Sequence, residues 1–399
     1  MPFRRLQPIE HDLAPHYAAL RALRNRRALE RSALWRDIGG EVARVTSAIE
    51  LGDAEPPASA TAKAAAPAPG AGAPLRAVAW NVQRGARFDG ILAALRDDPI
   101  LARADLLLLS EIDCGLGRSG NRNVARGLAD ALGMSYVFAP SYLTLGDDWG
   151  ENRGAVANTT ALAGTAILTR LPIRRAESVD MPALRDKFSS SERRLGHKRA
   201  LLVEVDAGLV AGPLLVGACH LDSNASPAQR ARQLAGLLDR LPRATPALVG
   251  GDFNCSTHDL SSALASFWDL LGKLFRPGPR RAIEGYMRPE ISGEGPLFEL
   301  LRANGFTTDG FNDTARATYH YDFNDAYALQ KLRRAGGPPL VALMRRLLRR
   351  WNHCVPARLD WFAARGLRAG AATVVDPRDA SGGRVSDHAA IVCDCDVAP

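Results

Sequence analysis

The sequence predicts an α/β domain preceded by a short helical extension. Apolar runs of strand length alternate with helical periodicity over residues 75–399. A stretch rich in Ala, Pro and Gly separates that region from an N-terminal segment whose pattern is helical throughout. No internal repeat is visible, which sets aside solenoids and propellers.

Taken in order, residues 1–51 place Leu20, Leu23, Leu29, Leu34 and Ile38 among Arg and Glu without strand-like alternation. Residues 52–74 hold Ala, Pro, Gly, Ser, Thr and a few charges, too little apolar surface for a core, and read as a semi-extended linker. In the main region, strands are expected at 77–82, 105–112, 164–170, 200–205, 213–220, 246–253, 358–364 and 389–395. Helices are expected at 121–132, 227–240 and 296–304. Across residues 259–356 Gly and Pro interrupt the pattern, marking a long, partly helical excursion of the kind that carries substrate selection.

Composition narrows the class. The 399 residues are 46% hydrophobic and 24% charged, which excludes wholesale disorder, and a chain of this length folds without disulfide or zinc. Six cysteines, at 114, 219, 255, 354, 393 and 395, lack zinc-site spacing and read as reduced, mostly buried thiols. With no apolar leader and no apolar run of about 18 residues, the expected location is the cytoplasm. Fifty-one Lys and Arg against 43 Asp and Glu give a net charge of +8, and residues 331–350 contribute seven basic residues and no acidic one. The charge therefore points to one local basic element rather than a whole-surface nucleic-acid binder.

The strands run into chemically capable residues. Asn81, Glu111, His220, Asp252 with Asn254, Asp360, and Asp387 with His388 each lie at or beside the end of an apolar run. Singly, Asn81 is a turn residue, Asp113 a loop cap, His220 an interior histidine and Asp252-Phe253-Asn254 an Asx turn. Glu111 resists such a reading, because a carboxylate after four leucines needs a partner or a cation. Strand ends in α/β sheets converge on one face, so six such groups point to one cleft. Carboxylates and an amide oxygen suit Mg²⁺, with Mn²⁺ the alternative, and two histidines suit proton transfer to a phosphoester. No GxSxG nucleophile motif is present.

In order, WNV (80–82), SEID (110–113), GTAILTR (164–170), HLDS (220–223), GGDFN (250–254), RLDW (358–361) and SDH (386–388) resemble the endonuclease/exonuclease/phosphatase superfamily. The resemblance covers 75–399 and none of 1–74. It implies a four-layer sandwich, two packed mixed β-sheets flanked by helices. It implies that Glu111 with Asn81 is the principal metal site and that Asp387 contributes to it. Asp252 is expected to orient or deprotonate the attacking water, with Asn254 as its phosphate-contacting neighbour. His388, aligned by Asp360, is expected at the scissile phosphate, with His220 as a second histidine on the phosphoryl oxygens or leaving group. Gln83 and HLDS depart from the abasic-site repair enzymes of the superfamily, so a divalent-metal phosphodiesterase, nuclease-like, is the leading expectation. A phospholipid or small phosphate-ester hydrolase is the alternative, and an inactive binding relative the third.

Substrate selection has three candidate segments. Arg118, Asn121 and Arg122 lie in a stretch that either faces substrate or caps a surface helix. Segment 338–351 is amphipathic, with Leu340, Leu343, Met344, Leu347, Leu348 and Trp351 on one face and Arg345, Arg346, Arg349 and Arg350 on the other. It reads first as a packed surface helix, then as a contact for nucleic-acid phosphates or for an anionic membrane surface. Tyr319-His320-Tyr321 either packs locally or stacks on a base. The N-terminal helices, with charges of both signs, read as docking or pairing elements.

Overall fold

The computed structural model describes residues 8–53, 74–146, 156–208, 212–259, 261–262, 268–269, 272, 278–324 and 326–397. The linker expected at 52–74 lies almost entirely outside them. The N-terminal elements are α1 (Tyr17–Ala22), α2 (Arg26–Arg31), α3 (Ala33–Ser47) and β1 (Glu50–Gly52). Next come β2 (Leu75–Arg84), α4 (Phe88–Asp97), β3 (Leu106–Cys114), α5 (Val124–Leu132), β4 (Ser135–Thr144), β5 (Leu162–Thr169) and β6 (Ile173–Asp180). They are followed by β7 (Arg194–Gly196), β8 (Arg199–Val205), β9 (Leu214–His220), α6 (Pro227–Leu238) and β10 (Ala247–Asp252). The excursion holds α7 (Gly278–Tyr286), α8 (Pro289–Ser292), α9 (Gly295–Ala303), β11 (Tyr319–Asp322), α10 (Ala326–Leu348) and the start of β12 (Cys354–Ala357). The chain closes with β13 (Asp360–Arg365), β14 (Leu367–Val375) and β15 (Ala390–Val397).

Two mixed sheets face one another. The larger runs β1-β4-β5-β3-β2-β15-β14, with β7 also on β4, and the smaller runs β13-β10-β9-β8-β6. Among the described residues only β2–β3 and β9–β10 pair in parallel. Period-two alternation decides which side chain goes where. In β2, Ala77 and Ala79 enter the core between the sheets with Leu108, Val203, Val216 and Phe362, while Val78, Trp80 and Val82 enter the outer core. The second outer core lies under α6 and α9, where Leu234, Leu237, Phe298 and Leu301 meet Val249, Phe253 and Trp361. Helix, sheet, sheet and helix make four layers. Ser226 and Gln229 close a capping box at the start of α6 with Pro227 at its first position, and α5 runs from the Asn123 cap to a left-handed Gly133.

Several strands escape the sequence pattern for physical reasons. In β4, Pro140 sits where the pairing with β5 shifts register, so the bulge absorbs a residue that otherwise argues against a strand. Edge strands β6 and β14 are charged or rich in Ala and Gly and present little alternation. The expected helix at 121–132 starts later, because Asn123 is its cap. All six cysteines are free, five of them buried.

The N-terminal segment is more than a set of helices. β1 adds to the edge of the large sheet, pairing Glu50 with Phe138 and Leu51 with Val137. Ile9, Leu13, Tyr17, Leu20, Leu29, Val42 and Val45 join the same core as Trp80, Phe138 and Leu168. Buried Glu50 accepts hydrogen bonds from Ile9 N (3.0 Å), Asn123 Nδ2 (2.6 Å) and Tyr136 Oη (2.6 Å). Since the extension shares one core with the sheet, Leu20→Ala should lower stability of the whole by about 3 kcal/mol. Chemical denaturation should show one shifted transition; a separate early transition that leaves the remainder unchanged would contradict the shared core.

Candidate active site

Three neighbouring strands place three polar side chains in a row. Asp252, last in β10, is registered against His220, last in β9, and against Asp360, first in β13. His220 Nε2 lies 3.4 Å from Asp252 Oδ2. From the opposite sheet, Asn81 Nδ2 donates to Asp252 Oδ2 at 3.1 Å. His388, just before β15, donates from Nδ1 to Asp360 Oδ2 at 2.8 Å, and its Nε2 stands 3.8 Å from Asp252 Oδ2. Trp80 Nε1 holds the His388 carbonyl at 2.9 Å, and Ser386 Oγ donates to the Asn81 carbonyl at 2.6 Å. Asn254 N donates to Asp252 Oδ1 at 2.9 Å while its Nδ2 donates to Leu221 O.

Backbone strain gathers at the same strand ends. Gln83, Arg84, Glu111 and Asn254 have φ values of 48°, 69°, 56° and 50°. The β2–β3 ladder skips between Asn81 and Arg84, and the β3–β5 ladder between Ser110 and Ile112. Bulges at this point on two adjacent strands rotate Glu111 out of the buried alternation and towards His220, 4.0 Å away. Gly251 has φ +134°, and a Cβ there would stand 2.1 Å from the Cys219 carbonyl, so the second glycine of GGDFN is a steric necessity.

With this geometry in place, the profile of the Endonuclease/Exonuclease/phosphatase family matches residues 78–388. The chain belongs to that family. Among solved structures it is similar to an endonuclease/exonuclease/phosphatase from Beutenbergia cavernae DSM 12333, at 16% identity and TM-score 0.49, covering 82% of this chain and 72% of that one. The human Nocturnin catalytic domain with bound sulfate is similar at 15% identity and TM-score 0.44, over 82% of this chain and 95% of that one. D. rerio TDP2 complexed with a single-strand DNA product is similar at 14% identity and TM-score 0.42, over 81% and 99%. No curated protein sequence matches the chain.

Charge states in this cluster follow from burial and neighbours. For His220, burial and the cationic Lys198 outweigh Asp252 and Glu111, which brings it down to about 4 and leaves it neutral at pH 7. For His388, burial opposes the charged form, but Asp360 and Asp252 prevail and hold it well above the usual histidine range. Burial alone would raise Glu111, yet Arg84, His220, Lys198 and Arg194 keep it far below the carboxylate range. Asp387 is raised, by burial first and by Glu111 and Asp252 among its neighbours.

The donors fit a hard divalent cation. Glu111 is ionised, yet its nearest cationic atom, Arg84 Nε, stands at 3.9 Å, and no described residue donates a hydrogen bond to the carboxylate. Glu111, Asn81 and Asp387 offer oxygen ligands only. Asp252, Asp360 and His388 also converge, with donor atoms within 4.8 Å of one another. There, however, a proton already joins His388 to Asp360, which makes that group a hydrogen-bonded dyad beside a carboxylate rather than an ion cage.

The expected substrate residues separate. Arg118 lines the cavity beside Glu111 but is buried in a two-bond pair with Asp113 (2.8 and 2.9 Å) and a bond to Glu192 (2.9 Å). Asp113 is therefore the anchor of that arginine rather than a loop cap. Asn121 ties its Nδ2 to Ala157 O, and exposed Arg122 lies over the Phe88 ring; neither lines that cavity. Sequence reasoning passed over Arg84, Glu192, Arg194 and Lys198. The cluster KR at 198–199, just before a strand, was the available signal for the lysine.

Glu192 accepts from Arg84 Nη2 (2.9 Å), Arg118 Nη1 (2.9 Å) and Arg194 Nη2 (2.6 Å). Burial works against its charge, but the three guanidiniums bring it from 4.5 down to about 2. A depressed folded-state value means the stabilisation is complete above about 4.5 and is lost as pH falls towards 2. Glu192→Gln should therefore cost about 3 kcal/mol at neutral pH. Denaturation curves of variant and parent should converge as pH drops through that window; a pH-independent gap would refute the charge origin.

Proposed function

We propose that the protein is a divalent-metal-dependent phosphoesterase that hydrolyses a phosphodiester by direct attack of water, with a nuclease-like substrate. The observation that carries this reading is the row His220–Asp252–Asp360 closed from above by Asn81 and the His388–Asp360 dyad. Asp252 Oδ2 faces a proton donor on Asn81 and two histidine nitrogens, while its Oδ1 is fixed by the Asn254 amide. That carboxylate is the group placed to orient a water and take its proton. His388, kept protonated by Asp360 and Asp252, presents Nε2–H to a phosphoryl oxygen. Neutral His220, beside Glu111, hydrogen-bonds a second oxygen or the leaving group. Asn254 has one amide N–H left for the phosphate after bonding Leu221. A divalent cation held by Glu111, with Asn81 and Asp387, would neutralise the charge developing on the phosphoryl oxygens.

The basic helix favours a polyanionic substrate over a lipid surface. Met344, Leu348 and Trp351 pack with Ile283 and Val355, so much of the apolar face is already covered, and Leu343, expected on that face, is instead 47% exposed. Arg345, Arg346, Arg349 and Arg350 are exposed. No helix among the described residues is long and apolar enough to cross a membrane.

The test is Mg²⁺-dependent hydrolysis, with Mn²⁺ in parallel, on plasmid DNA, single-stranded RNA, sphingomyelin and a chromogenic phosphodiester. Asp252→Asn and His388→Ala should each lower kcat by about 10³-fold while the folded state survives. Activity retained in both variants sinks the mechanism, and cleavage of sphingomyelin alone replaces the nuclease-like reading with a lipid one.

A further inference from the structure

Beside the catalytic row, a cavity is lined by Arg84, Glu111, Tyr142, Arg194, Lys198 and His220, together with Arg118 below them. Asp252, Asp360 and His388 do not line it. Its wall is cationic in excess. Asp113 is spent on Arg118, and Glu192 is shared among Arg84, Arg118 and Arg194. Four cations, counting Lys198, thus stand against Asp113, Glu192 and Glu111, and Glu111 is the carboxylate assigned above to a cation.

Lys198 is the decisive member. It is only 8% exposed, it lines the cavity, and no described residue takes a hydrogen bond or ion pair from its ammonium. Burial disfavours the charged form of this ammonium, Asp222 and Glu111 offset that only in part, and an anion in the cavity would add the support they leave out. The surrounding groups are fixed in advance: Glu192 holds three guanidiniums, and Arg194 lies over the Tyr142 ring at 5.3 Å. The loop carrying them is braced from outside, because Arg193 Nη1 donates to Leu23 O of the N-terminal extension at 2.5 Å. Rigid, partly desolvated guanidiniums and an ammonium are what a phosphate group requires.

We infer that this cavity is a second anion subsite, which takes a phosphate group of the substrate adjacent to the scissile one. The inference rests on the phosphoesterase reading and deepens it: the substrate is a phosphodiester flanked by another phosphate, as in a nucleotide chain or a phosphate-terminated nucleotide. Lys198 and Arg194 select it, and Arg84 links the subsite to the Glu111 end of the cleft.

Calorimetric titration of the full-length protein without metal compares a nucleoside bisphosphate with the matching monophosphate. The bisphosphate should bind at least about 10-fold more tightly. Lys198→Met and Arg194→Gln should each erase most of that advantage, and Lys198→Arg should restore it. Equal affinity for the two probes, or an advantage that survives both charge-removing variants, overturns the subsite. In the catalytic arm, kcat/KM is compared for a dinucleotide with and without a terminal phosphate and for the unphosphorylated trinucleotide. A gain for the terminally phosphorylated dinucleotide identifies an end phosphate as the occupant, and a gain for the trinucleotide identifies a backbone phosphate. If no diester is hydrolysed, the phosphoesterase reading fails while the titration still decides the subsite.

Discussion

Two polar bonds across the seam between the sheets set the site. Asn81 of the large sheet meets Asp252 of the small one, and His388 beside the large sheet meets Asp360 of the small one. Between the sheets most of the remaining contact is made by aliphatic and aromatic side chains, which tolerate small sliding. Hydrogen bonds of about 3 Å between buried groups tolerate little, since an unsatisfied buried carboxylate is expensive. The apolar interface therefore brings the sheets together, and these bonds fix where one stands relative to the other.

The same seam explains why strain accumulates there. A regular strand would send alternate residues into the two cores and leave none for the cleft. Bulges after Asn81 and at Glu111, and the left-handed Asn254, break the alternation only at the strand ends, where hydrogen bonds lost from the ladders are replaced by side-chain bonds. Asn81 Oδ1 accepting from Gln83 N at 3.0 Å is one such replacement.

Additions to the sandwich brace the cleft from two sides. The N-terminal extension holds the 156–161 segment through Tyr17 Oη on Thr159 O and the 190s loop through Leu23 O. On the other side, Thr318 Oγ1 accepts from the Leu359 and Asp360 amides, and Ala389 N donates to Thr318 O. Tyr319 then packs against the His388 ring at 4.8 Å. The excursion is thus bonded to both loops that carry the dyad, so its placement and the dyad's are one problem.

The sequence by itself determined which residues are chemically capable and that they end apolar runs. Glu111 after four leucines, Asp252 after a glycine pair and His388 after Ser-Asp are visible because local alternation and turn chemistry act over a few residues. Only the tertiary structure decided the register that aligns His220, Asp252 and Asp360, and the pairings of Asn81 with Asp252 across 171 residues and Arg84 with Glu192 across 108. It also decided that Arg118 is consumed by Asp113 while Lys198 faces a cavity, and that the extension supplies a strand. These outcomes depend on which edge meets which edge and on which charges lose water together, and such long-range terms leave no period in the chain.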